Sequence, residues 1–255
     1  MARHEIDPFG IGRRGLAIPF REFPIWFACA LWPLAVAILE EAARRGIVTV
    51  PDWANTPAEW IAMAIFDWCW MTALCRSTTI QLVTFPAERC FWLFLLLKLA
   101  LDGLRWLFYA VLSILALAGY SGIIPFIDWT GSGVQLLSGG LAVAMLLLGI
   151  WVSLRLLIWP AHCVATGTLA GPRIIWRGMQ DHSFDMFIIA IVTTGPALLI
   201  VGALYFFARE VSTAEIDAPL RAIVTVVKVY VTGAFDAAML IAYFEIFAMK
   251  TAGRR

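Results

Sequence analysis

The chain has 255 residues, 62% of them hydrophobic and 15% charged, against about 45–50% and about 25% in soluble globular domains. One water-soluble core of this size would leave much of that apolar surface exposed. A net charge of +1 excludes a general electrostatic attraction for nucleic acid.

Five cysteines without a CxxC pair argue against a disulfide framework or a metal centre and for small buried hydrophobes. A mean hydropathy of +0.84 points to a bilayer as the solvent. The predicted fold class is an all-α polytopic transmembrane bundle. Each span needs about 20 mostly apolar residues, and about six runs qualify.

In chain order, residues 1–23 read as a cytoplasmic N-terminal segment. Spans follow at about 24–40, 58–75, 91–119, 134–159, 184–208 and 222–248, and a basic tail occupies 249–255. The first run contains Ala35-Val36-Ala37, which has the form of a leader cleavage site. Glu5, Asp7 and Glu22 before it, and Trp32-Pro33 inside it, favour an uncleaved span. The 91–119 stretch reads equally as one tilted helix or as a helix with a broken end.

Basic residues set the orientation. Arg3, Arg13, Arg14, Arg21, Arg76, Arg89, Arg173, Arg177, Lys250, Arg254 and Arg255 fall on one side of this arrangement, and only Arg44, Arg45, Arg209 and Arg221 on the other. An inner (plasma) membrane protein with both termini in the cytoplasm is predicted. The loops at 76–89 and 161–183 mix polar and apolar residues, which predicts short amphipathic segments in the headgroup region. Their equivalent positions hint at a loose internal repeat. Arg76, Arg89, Arg173, Trp176 and Arg177 are the candidate interfacial residues. Trp26, Trp53, Trp60, Trp92, Trp129, Trp159 and Trp176 fall near span ends as an aromatic belt, whereas Trp68 and Trp70 lie deeper and read as packing residues.

The stretch LRLLIWPAHCVATGTLAGPRIIWRG, from Leu154 to Gly178, has an arginine near a span end, a Pro-Ala exit, a small-residue linker and Trp-Arg-Gly. In this it resembles a set of proteobacterial six-span membrane proteins, which are similar to the membrane domain attached to some glycerophosphodiester phosphodiesterases. Members often carry a Trp-His-Arg patch after the second span; here Leu74-Cys75-Arg76 keeps only the arginine. The resemblance implies an inner-membrane helical bundle. It does not imply phosphodiesterase activity, because no soluble catalytic domain accompanies it.

Ionisable residues inside spans are the strongest functional pointers, since a charge in hydrocarbon is costly. Arg155, Lys228 and Glu245 sit near span ends, where they can snorkel to the interface. Lys98 and Asp102 share a helix face at i, i+4 and can pair, with Arg105 next to Asp102. Asp67 and Asp236 sit near the middle of their spans with no basic residue one turn away. Each needs a partner across the bundle (Lys98 has the reach), a proton, or water. Thr193-Thr194-Gly195-Pro196 is a candidate helix break. Asp67, Lys98, Asp102, Arg105 and Asp236 are therefore the candidate intramembrane site.

Nucleotide, hydrolase and zincin motifs are absent. Asp181, His182 and Asp185 read as a solvated loop before a metal site. No enzymatic activity, cofactor or metal is predicted. The leading expectation is a bundle that acts through contacts with membrane lipids and other membrane-protein subunits, as an accessory subunit or assembly factor. The alternative is a small transporter or channel, which requires Asp67, Lys98, Asp102 and Asp236 to converge on one water-accessible cavity. A lipid-directed enzyme would instead need Arg76, Glu88, Arg89, Arg173, Arg177 and His182 together.

Overall fold

A computed structural model describes residues 6–76, 85–121, 132–211 and 214–248. Among these residues every regular element is a helix. They are α1 (Pro8–Arg21), α2 (Phe23–Arg44), α3 (Asp52–Arg76), a short 3-10 turn (Phe85–Ala87), α4 (Arg89–Ser121), α5 (Ser132–Leu156), α6 (Trp159–Thr166), α7 (Pro172–Gly178), α8 (Ser183–Val211) and α9 (Ala214–Tyr243), which ends in a π turn at Phe244–Ala248.

The helix ends have local causes. Asp7 caps α1 by accepting from the Gly10 N–H at 2.9 Å, and Pro8 fills the first helical position, where no N–H is needed. After α2, Gly46 adopts φ 72°. Its N–H bonds to Ala43 O and that of Ile47 to Ala42 O, closing the carbonyl end with the paired bonds of a left-handed cap. Gly167, at φ 67°, stops α6 with a bond to Cys163 O.

Four helical stretches are long and apolar enough to cross a membrane: Phe23–Arg44, Val143–Thr166, Ser183–Leu204 and Ala218–Phe247. This is a helical membrane protein. The other two runs expected to span, α3 and α4, have 25 and 33 residues. Length does not disqualify them, and Ala218–Phe247 carries interior charges of its own, Lys228 and Asp236. α4 is one unbroken helix through 91–119. α8 likewise continues through Thr193-Thr194-Gly195-Pro196. The threonine hydroxyls fold back onto its own carbonyls, Thr193 to Ile189 O at 2.8 Å and Thr194 to Ala190 O at 2.6 Å.

α3 and α9 form the centre. α3 packs against α2, α4, α6 and α9, and α9 against α1, α2, α3, α6 and α8. Phe66, Trp68, Trp70 and Met71 of α3 are buried, as are Ala234 and Ala238 of α9; Phe66 lies beside Gly233 of α9, and Trp68 packs on Phe91 and Phe94 of α4. The Trp70 indole donates to Gly233 O at 2.7 Å. A Trp70→Phe protein is expected to lose about 1–2 kcal/mol, read as a fall of a few degrees in the melting temperature of purified protein. Leu198, Leu199 and Ile200 on α8 and Leu146 to Leu148 on α5 stay exposed, as lipid-facing residues do.

Several expectations change at this level. Residues 8–21 of the N-terminal segment form a helix wedged against α8 and α9. A Cβ on Gly15 would stand 2.6 Å from Ala238 Cβ and 2.7 Å from Ala234 O, so only glycine permits this approach. Tyr230 donates to Leu16 O at 2.5 Å. Trp26 is buried against Tyr230 and α9 rather than standing in a belt. In the expected interfacial stretch 161–183, α6 belongs to the core, with Ala161, Cys163 and Val164 buried; α7 is amphipathic, burying Ile175 and exposing Arg173, Ile174 and Arg177. The expected segment at 77–84, the belt residue Trp129, the basic tail and the side chains of Arg76 and Trp53 lie outside the described residues.

Candidate intramembrane site

The charged residues of α3, α4 and α9 fall into two levels because of helix geometry. Glu59 and Asp67 on α3 are eight residues apart, as are Lys228 and Asp236 on α9. At 1.5 Å per residue each pair spans about 12 Å. The Lys228 ammonium bonds to Glu59, so the first members of the two pairs stand at one level. α4 runs the opposite way, meeting Asp67 through Lys98 and, one turn later, Trp60 through Asp102.

At the inner level the Lys98 ammonium pairs with the Asp67 carboxylate, and Asp236 lies within electrostatic range of the same lysine. Only 1% of the Asp67 side chain and 24% of the Lys98 side chain is exposed. At the outer level Asp102 accepts from the Trp60 indole at 2.7 Å and from Arg105 at 3.0 Å. The i, i+4 pairing of Lys98 with Asp102 therefore does not form. Lys98 is drawn across the bundle to Asp67, a carboxylate otherwise sealed from solvent, while Asp102 finds two donors of its own.

All five sequence candidates, Asp67, Lys98, Asp102, Arg105 and Asp236, line one cavity of about 460 Å³ between α3, α4, α5, α6 and α9. Its more exposed end carries Thr56, Glu59 and Lys228; Met71, Phe94 and Met239 also line it. Sequence reasoning missed Glu59, Trp60 and Lys228. Lys228 had read as a snorkelling residue, yet it holds Glu59. The signal was available in the matched eight-residue spacings on two helices, but nothing in one dimension makes those helices neighbours.

The inner level has a charge imbalance. Two carboxylates face one ammonium. Asp67 Oδ1 and Asp236 Oδ2 have no hydrogen-bond partner among the described residues, and Asp236 forms no ion pair there. A buried carboxylate in that state takes up a proton or a cation, or draws water in.

The interfacial candidates lie elsewhere. Arg173, Trp176 and Arg177, with Pro172, line a separate shallow recess on α7; Arg89 starts α4 and is not part of it. Arg155 reaches from the end of α5 to α7 and the turn after it. Its guanidinium lies 4.5 Å from the Trp151 ring and 4.9 Å from the Trp176 ring, and it donates to Gln180 O at 3.3 Å. Glu245 is held by Arg14 at 2.5 Å. His182 Nδ1 lies 3.0 Å from Asp185 Oδ2, a bond that ties down the first turn of α8.

No protein-family model, curated protein or solved structure matches this chain.

Proposed function

We propose that this chain is a small cation-coupled carrier of the inner membrane, with six spans, both termini in the cytoplasm and no enzymatic step. Asp236, flanked by Asp67 and Lys98, holds the coupling cation, a proton or a sodium ion. One observation carries the reading: the ionisable residues of three helices line a single cavity, with an unpaired buried carboxylate at its inner level. Intramembrane ionisable groups at a shared cavity mark ion and substrate pathways. A bundle acting only through lipid and subunit contacts has no need of such a cavity, and for that reason the carrier is preferred to the accessory subunit. The six-span count follows if α3 and α4 cross with their charges turned to the cavity.

The test is charge movement on a solid-supported membrane. Purified protein in liposomes receives a step in pH or in sodium concentration. Wild type is expected to give a transient displacement current. Asp236→Asn is expected to reduce it at least tenfold while leaving the melting profile near wild type. Absence of current in wild type under both steps defeats the carrier and returns the contact-mediated role. Reporter fusions at the two termini check the orientation.

A further inference from the structure

A second cavity adjoins the first. It has a volume of about 320 Å³ and lies between α4, α5, α8 and α9. Arg105, Ser153, Leu157 and Phe235 line both cavities, so charged chamber and side arm meet along one wall. The arm is apolar in character, lined by Phe108, Met145, Leu146, Ile150 and Leu154. Its Thr194 hydroxyl is already bonded to Ala190 O at 2.6 Å. With about 30 Å³ for a water-sized group, the arm holds roughly ten groups the size of a methylene.

Charge decides which end group suits the chamber. Every basic side chain lining it is already matched: Lys98 with Asp67, Arg105 with Asp102, and Lys228 with Glu59. The unmatched charge is a carboxylate, Asp236, which is 6% exposed, and the unpartnered Oδ1 of Asp67 lies at the same level. An anionic head would have to displace an existing carboxylate, whereas a cationic head completes the set. Trp60, Phe94 and Phe235 add aromatic surface to the chamber, which favours a weakly hydrated ammonium.

We propose that the ligand of this site is a lipophilic cation: an amine or quaternary ammonium whose head binds at Asp236 and Asp67 and whose hydrocarbon lies in the arm between α4, α5 and α8. This rests on the carrier reading and names its substrate class. Head and coupling cation then compete for one carboxylate, which is the arrangement of an exchanger.

Calorimetry on protein in nanodiscs, with empty nanodiscs as reference, tests this with decyltrimethylammonium as probe. Saturable binding beyond lipid partition is expected. Decyl sulfate is expected to show none, and tetramethylammonium, which lacks the chain, to bind at least tenfold more weakly. The probe should also suppress the displacement current. Gly149→Leu crowds the arm, since even a Cβ there would stand 3.1 Å from the Phe108 ring; Leu146→Trp, at a half-open position, is the gentler alternative. Each should weaken decyltrimethylammonium binding at least tenfold while the pH- or sodium-driven current persists, which also shows that the variant is folded. Probe uptake no greater than in empty nanodiscs, equal binding of decyl sulfate, or unchanged affinity in both arm variants overturns the substrate class and leaves the carrier standing. Loss of the current from wild type itself is the separate failure of the carrier.

Discussion

A Lys98→Met protein is expected to melt roughly 10 °C below wild type, and the double variant Lys98→Met/Asp67→Asn to recover most of that loss. The Asp67 carboxylate is 1% exposed, and Lys98 supplies its only ion pair among the described residues. Removing one partner of a buried pair leaves the other charge stranded, at a cost of about 3–5 kcal/mol, whereas neutralising both is nearly harmless. At about 2–4 °C per kcal/mol for a chain of this size, the single substitution should be plain in a melting curve. Asp67→Asn alone should cost less, because Lys98 keeps Asp236 within electrostatic range. A single variant that melts with wild type, or a double variant no better than the single, would show that the pair is not sealed from water.

Gly15→Leu is expected to have the second largest effect, about 3 kcal/mol, and to act on one helix. The Cβ would meet Ala238 Cβ at 2.6 Å and the Ala234 carbonyl at 2.7 Å, and the carbonyl is backbone that cannot turn aside. α1 must lift from α9, losing the Tyr230 bond to Leu16 O and the Arg14–Glu245 pair. Trypsin should then cut at Arg13, Arg14 and Arg21 several-fold faster than in wild type. Gly103→Ala is the matched control: a Cβ there has nothing within 4 Å, so trypsin sensitivity should stay as it was. Equal cleavage of the Gly15 variant and this control would mean that α1 is not docked through its glycines.

The two cases mark what one dimension can carry. Asp67 and Asp236 stood out in the sequence because each is an acid in an apolar run without a local partner, and such a residue must answer to something across the bundle. Lys98 was visible as one possible answer, but the local rule for a helix face pointed it at Asp102. Burial overrode that rule: Asp67 is sealed and has no other cation among the described residues, while Asp102 can use Trp60 and Arg105. Gly12 and Gly15 carried no signal at all, since glycine in a segment before a span reads as a linker until α8 and α9 are seen against it. Likewise Pro160-Ala161 looked like an exit from the membrane, yet α6 continues the apolar stretch Val143–Thr166 and belongs to the core, with Ala161, Cys163 and Val164 buried.

By itself the sequence determined the solvent and the helices. Hydrocarbon-length apolar runs leave a backbone in lipid no way to satisfy its own N–H and C=O groups except helix, and this holds whatever the neighbours are. Only the tertiary structure decided which charges face one another and which cavity they share. Partner choice in a buried bundle depends on helix order, tilt and rotation, and those are set by the packing of small and large side chains across contacts far apart in the chain.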